Sequence, residues 1–126
     1  MMERKAAGVL LICENTGNFL LLKRSDKVNF PDCWAVVGGA IEENETPAET
    51  VKRELMEETS ISGDNIILEF FESQYMFRPF DLFIGYCDKE HQCKLNDENS
   101  GWGWFNMDNL PDPLFPTLYS SLVRIF

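Results

Sequence analysis

Between Gly39 and Ile61 the chain reads GAIEENETPAETVKRELMEETSI, and the rest of the sequence is best read outward from it. Thr46-Pro47-Ala48-Glu49 has the chemistry of a helix start. Thr46 is an N-cap, Pro47 occupies the first helical position, and Glu49 sits three residues after the cap to close a capping box. The spacing predicts a helix from there to about Thr59. At about 100° per residue Ala48, Val51 and Leu55 form one apolar stripe. Glu54, Glu57 and Glu58 gather on its flank, where like charges at i, i+3 and i+4 repel by about 0.2–0.5 kcal/mol per pair. A hard divalent cation is the natural compensation, because carboxylate oxygens are what Mg²⁺ prefers.

The stretch resembles the signature of the Nudix (MutT-like) hydrolases. Gly39, Glu45, Arg53, Glu54, Leu55, Glu57, Glu58 and Ile61 are in register with it, and Ser60 stands where the family has Gly. Val37, just before the Gly38–Gly39 pair, replaces the family's usual Pro. The resemblance implies an α/β fold, a Nudix-type α/β/α sandwich around a mixed β-sheet, as a single domain over residues 1–126. The pattern of elements alone gives only α+β or α/β.

Composition narrows the class. With 44% apolar residues in a chain of 126, there is enough for one domain with its own core. A net charge of −10, from 21 acidic against 11 basic residues, does not suit bulk nucleic-acid binding. An anionic substrate would need metal ions as a bridge. No apolar run approaches a membrane span, and no signal-peptide pattern is present. The four Cys form no Cys-x-x-Cys, and the single His, His91, cannot complete a His-based zinc set and is the one His base open to a Cys nucleophile, so reduced thiols in a cytoplasmic protein are expected. An EF-hand reading fails for want of the spaced Asp/Asn–Gly loop.

Along the chain, Lys5–Cys13 and Phe19–Lys23 read as a strand pair joined by a turn at Gly17. A short strand at 34–37 aims into the Gly pair, whose backbone can approach a ligand closely. Ser60 falls where a left-handed residue ends the helix, at a cost of about 1 kcal/mol for a non-glycine. Residues 65–74 and 75–87 read as two strands, with Arg78–Pro79 marking a break, bulge or edge. A polar loop covers 88–100, a strand begins at Gly101, and a helix occupies Phe115–Phe126, with Leu118, Leu122, Val123, Ile125 and Phe126 apolar.

The resemblance implies hydrolysis of a phosphoanhydride in a nucleoside diphosphate linked to another moiety, with Mg²⁺ (or Mn²⁺) as cofactor. Glu54, Glu57 and Glu58 would carry the metal together with the Gly38 carbonyl, and Glu98 would join them. Glu45 would orient, and Arg53 would position a carboxylate. The general base is either a box Glu or Glu98, six residues before Trp104, with Asp97 as substitute. Arg24 would reach substrate phosphate. Phe30, Tyr75, Phe77 and Trp102 are stacking candidates, and Asn106 and Asp108 are candidates for a base edge. The loop 96–99 is similar to that of GDP-mannose mannosyl hydrolases, but Asn99 replaces their His and the box acids are complete. A (d)NTP pyrophosphohydrolase is the reading favoured. Hydrolysis of nucleotide sugars, ADP-ribose or dinucleoside polyphosphates, and a non-catalytic nucleotide-binding module, stay open. The expected partner is a small nucleotide, with no membrane and either a monomer or a homodimer.

Overall fold

The computed structural model describes residues 4–75 and 77–126. The chain folds as a mixed seven-stranded sheet with one helix on each face. β1 (Ala6–Cys13) is its centre. Alternate residues of β1 enter different layers, as the period of a strand requires. Ala7, Val9, Leu11 and Cys13 join the core that contains Val51 and Leu55, whereas Leu10 joins a second core with Leu118 and Leu122. β2 (Phe19–Arg24) repeats this, with Leu20 and Leu22 on the first side and Phe19 and Leu21 on the other.

β6 (Pro79–Cys87) runs parallel to β1 along its whole length, and β5 (Ile67–Tyr75) closes that side antiparallel to β6. The break expected at Arg78–Pro79 separates these two strands; Met76, inside the expected 75–87 strand, lies outside the described residues. On the other edge β1 pairs with β4 (Val37–Ala40) over Ala6–Val9 and meets β2 only at Ile12↔Phe19. β2 in turn pairs with β3 (Trp34–Ala35) at Leu22 and Lys23, and along its far edge with β7 (Asn99–Phe105). β1 and β2 therefore diverge after their turn, and residues 34–40 fill the wedge between them.

That divergence corrects the single strand expected at 34–37. A straight segment cannot pair with two strands that splay apart, so it divides at Val36, one half bonding β2 and the other β1. β7 also begins two residues earlier than Gly101, because Asn99 still pairs with Arg24 across a bulge.

α1 (Pro47–Thr59) has the expected bounds and capping box: Glu49 N–H donates to Thr46 Oγ1 at 3.2 Å, and Thr46 N–H to Glu49 Oε1 at 2.8 Å. Such a cap is worth about 1 kcal/mol. Val51 and Leu55 are fully buried, each worth about 1.5–3 kcal/mol. Ser60 ends the helix in the left-handed region at φ 66°. A single 3₁₀ turn (Gly63–Asn65) leads to β5. α2 (Leu118–Ile125) is shorter than the expected 115–126. Leu118 and Leu122 are its buried side; Val123, assigned to that side from the sequence, is half exposed. No helix of the described residues is long and apolar enough to cross a membrane.

Candidate active site

Arg53 holds the acidic face of α1 together. Its Nε donates to Glu45 Oε2 at 2.7 Å and its Nη2 to Glu45 Oε1 at 3.1 Å, a two-point pair. Nη2 also reaches the Ala40 carbonyl at 2.9 Å, which ties α1 to the end of β4. Nη1 is shared between Glu54 at 3.0 Å and Glu57 at 3.1 Å. Glu45 further accepts from Thr50 Oγ1 at 2.6 Å and from Glu42 N–H at 3.1 Å. The bond from Arg53 is the main reason that Glu45 is pushed down to about 2, and the same bond raises Arg53 above its ordinary range.

Glu54 and Glu58 face the glycine pair. Glu58 is 5% exposed. Its Oε1 accepts Gly38 N–H at 2.9 Å and its Oε2 accepts Asn99 Nδ2 at 2.7 Å, fixing both oxygens. Burial pushes it up to about 8, with Glu54 adding like-charge repulsion. Burial also raises Glu54, against the pull of Arg53. Gly39 leaves room for the Glu54 carboxyl: a Cβ there would lie 2.6 Å from Glu54 Cδ. Only glycine lets backbone and carboxylate approach this closely.

Among the described residues no three His, Cys, Asp or Glu side chains converge as a complete metal cage. Mg²⁺ does not need one, since it is commonly held by one or two carboxylates plus water and substrate phosphates. The all-oxygen donor set, and the space kept beside Glu54 by Gly39, fit such an ion.

The same glycine pair borders a cavity of about 230 Å³ on the α2 side. Arg24 and Arg78 are its charged lining residues, and no carboxylate lines it among the described residues. Arg24 Nε donates to Asn29 O at 2.7 Å, its Nη2 bonds Asn29 Oδ1, and its guanidinium lies 5.2 Å from the centre of the Phe115 ring. Burial lowers the Arg24 pKa. Phe77, Phe115 and Gln74 also face the cavity.

Arg24, Gly38, Glu54 and Glu58 are thus gathered around one loop, and Glu57 joins them through Arg53. Glu98 lies at the same place. Its carboxylate makes no hydrogen bond or ion pair among the described residues, and its charge bears on Arg24, Glu54 and Glu58. The Asp97 carboxylate instead turns outward to Lys27 at 3.4 Å. Phe30 meets Phe77 at a tilt, with ring centroids 4.8 Å apart, and Phe115 edge-on at 5.0 Å, backing the cavity's aromatic wall without lining it.

Four candidates from sequence fall outside this cavity. Asn106 follows Phe105, which pairs with Phe19, whereas Arg24 pairs with Asn99 at the opposite end of β2 and β7. Its side chain accepts Asp108 N–H at 2.8 Å in a local turn. Tyr75 is 72% exposed, and neither it nor Trp102 lines the cavity. The sequence reading missed Gln74, Arg78 and Phe115. No local signal marks them, since the β5–β6 turn and the segment before α2 meet only in the folded chain.

The NUDIX domain family matches residues 2–124. A dihydroneopterin triphosphate diphosphatase of Haemophilus influenzae is 42% identical over 101 residues, covering 71% of this chain and 61% of that protein. An 8-oxo-dGTP diphosphatase of Proteus vulgaris is 40% identical over 65 residues, 48% of this chain and 56% of that one. The chain thus spans little more than half the length of these relatives. Among solved structures, a MutT NUDIX hydrolase from Burkholderia pseudomallei superposes with a TM-score of 0.77 at 22% identity, covering 98% of each chain, a likeness of fold. With the family matched along almost its whole length and Gly39, Glu45, Arg53, Glu54, Glu57 and Glu58 assembled around one loop, the chain belongs to the Nudix family.

Proposed function

We propose that this protein is a Mg²⁺-dependent pyrophosphohydrolase of nucleoside triphosphates, releasing a nucleoside monophosphate and pyrophosphate. One observation carries the reading. The Gly38–Gly39 backbone is common to a buried carboxylate pair, Glu54 and Glu58, and to a cavity lined, among the described residues, by two guanidinium groups and no acid. In a chain of net charge −10, this is where a polyphosphate would find both cationic partners and metal-binding oxygens.

Glu54 and Glu58 with the Gly38 carbonyl would hold the metal, and Glu57 and Glu98 would lie beside them, with water and substrate phosphates completing its ligands. When bound, Mg²⁺ (or Mn²⁺ in its place) supplies charge neutralisation on the phosphate oxygens and a more acidic attacking water. Glu98 takes the proton of that water, a role favoured by its unpaired carboxylate at the edge of the site. Arg24 and Arg78 steady the charge on the phosphate chain. Arg53 acts by positioning: it orients Glu45, Glu54 and Glu57 and touches no substrate. The substrate is a small nucleotide, and the four free thiols support a cytoplasmic setting.

The test is product release from a panel of dNTPs, NTPs, dihydroneopterin triphosphate, ADP-ribose, dinucleoside polyphosphates and GDP-sugars, with and without Mg²⁺, with Glu57→Gln as control. Metal-dependent turnover of triphosphates that collapses in the variant is expected. Tight nucleotide binding with no turnover on any of them would instead make the protein a binding module.

A further inference from the structure

Gln74 lies at the far end of the cavity from the glycine loop. Ala40 pairs with Ala6, Ala6 with Phe80, and Phe80 with Gln74, so one row across β4, β1, β6 and β5 joins the loop to Gln74. Three strand spacings make that row about 14 Å long. This is comparable with the reach of a nucleotide from its phosphates to the edge of its base. Phe77 and Phe80 line the interval, together with Phe115.

The amide of Gln74 has a fixed sense. Its Nε2 is 2.6 Å from Ser121 Oγ and 3.4 Å from Glu72 Oε1. Glu72 can only accept, and it is pinned by Arg124 Nε at 3.0 Å. Ser121 gives its own proton to the Thr117 carbonyl at 3.2 Å and also receives Arg124 Nη2 at 3.4 Å, so its oxygen is an acceptor too. Two acceptors on one side place the NH₂ there. The amide oxygen, Oε1, accepts no hydrogen bond among the described residues, and the residue lines the cavity.

We infer that Gln74 is a specificity residue whose Oε1 accepts a hydrogen bond from an exocyclic amino group of the substrate's base, so that amino-bearing bases are selected. The inference rests on the nucleotide-hydrolase reading above and adds which edge chemistry is read. Glu72 and Arg124 are positioning residues in this scheme, because they forbid the flipped amide. A site built around such a bond discriminates strongly against an analogue that lacks the donor, since the acceptor is then left unpaired.

The experiment compares nucleotides that differ by one amino group. The pairs are GTP with ITP, and ATP with purine riboside triphosphate. Each is measured for kcat/KM and, by calorimetry, for binding to the Glu57→Gln variant, with and without Gln74→Met. A preference for the amino-bearing member of at least one pair of about tenfold or more is expected. Gln74→Met should erase that preference. Equal use of both members in both pairs, or a preference that survives Gln74→Met, overturns the inference while leaving the hydrolase standing. Selective binding without turnover removes the hydrolase and keeps the inference. No binding of any of the four nucleotides overturns both.

Discussion

Arg53 and Glu45 are joined at two points, 2.7 and 3.1 Å, and through this pair the carboxylates of α1 are set against the end of β4. The pair is eight residues apart in sequence, across the helix start, and needs a planar fork on one side and both carboxylate oxygens on the other. Arg53→Lys keeps the charge and loses the fork. It should reduce kcat/KM by about 10²-fold, the usual effect of misplacing reacting groups by about an ångström. The deficit should resemble that of Glu45→Gln, and the double variant should lose little more than either single one. Additive losses in that kinetic cycle would show that the two residues act separately.

Gly39 gives a second, steric prediction. A methyl group there meets the Glu54 carboxyl. Gly39→Ala should displace that side chain and weaken Mg²⁺ binding by about 10–100-fold, the range seen when a ligand's support is lost. Calorimetric titration with Mg²⁺ checks this, and an unchanged affinity would mean that Glu54 does not hold the ion.

Glu58 links the site to stability. Its pKa is raised from 4.5 to about 8 by burial. A group raised on folding favours the folded state fully below its unfolded value, and that advantage is lost as pH climbs through the folded value. The metal-free protein should therefore lose stability between about pH 4.5 and 8. A fall in Tm of at least about 5 °C is expected over that range. Glu58→Gln, which cannot titrate, should flatten the slope, and added Mg²⁺ should restore Tm at the alkaline end. A metal-free Tm that is level, or that rises with pH, would contradict the burial argument.

The left-handed Ser60 offers a stabilising change. At φ 66° its Cβ is strained, and its hydroxyl makes one exposed bond to Lys94 O at 3.2 Å. Ser60→Gly should raise stability by about 0.5–1 kcal/mol, read by urea unfolding, with activity unchanged.

What the sequence disclosed and what it hid divide along a physical line. The bounds of α1, its Thr46–Glu49 cap and the strain at Ser60 are local, and each is legible within a few residues. So is the distinction of Glu45 from the other acids, because the motif spacing survives in one chain segment. The division of 34–40 into two strands depends on how far β1 and β2 diverge, which no residue in that segment encodes. Asn106 was misplaced for a related reason. Its chemistry suits a base, but the β2–β7 register carries it to the wrong end of the sheet. Gln74, Arg78 and Phe115 come together only through long-range packing, and their residue types are unremarkable in isolation.

Glu98 is the sharpest test of the chemistry. Its backbone is held, Ser25 N–H donating to its carbonyl at 2.9 Å and its own N–H to Asn96 Oδ1 at 3.2 Å. The carboxylate is left without a partner among the described residues. Glu58, by contrast, has both oxygens bonded and is poorly placed to move a proton. Glu98→Gln should lower kcat by about 10²–10⁴-fold, the range for losing a general base, with nucleotide affinity and Tm kept. Asp97→Asn, whose carboxylate faces Lys27, should be near wild type. A Glu98→Gln enzyme of normal rate would return the base to a residue of α1, and Glu57, half exposed and held only by Arg53, would then be the acid to vary.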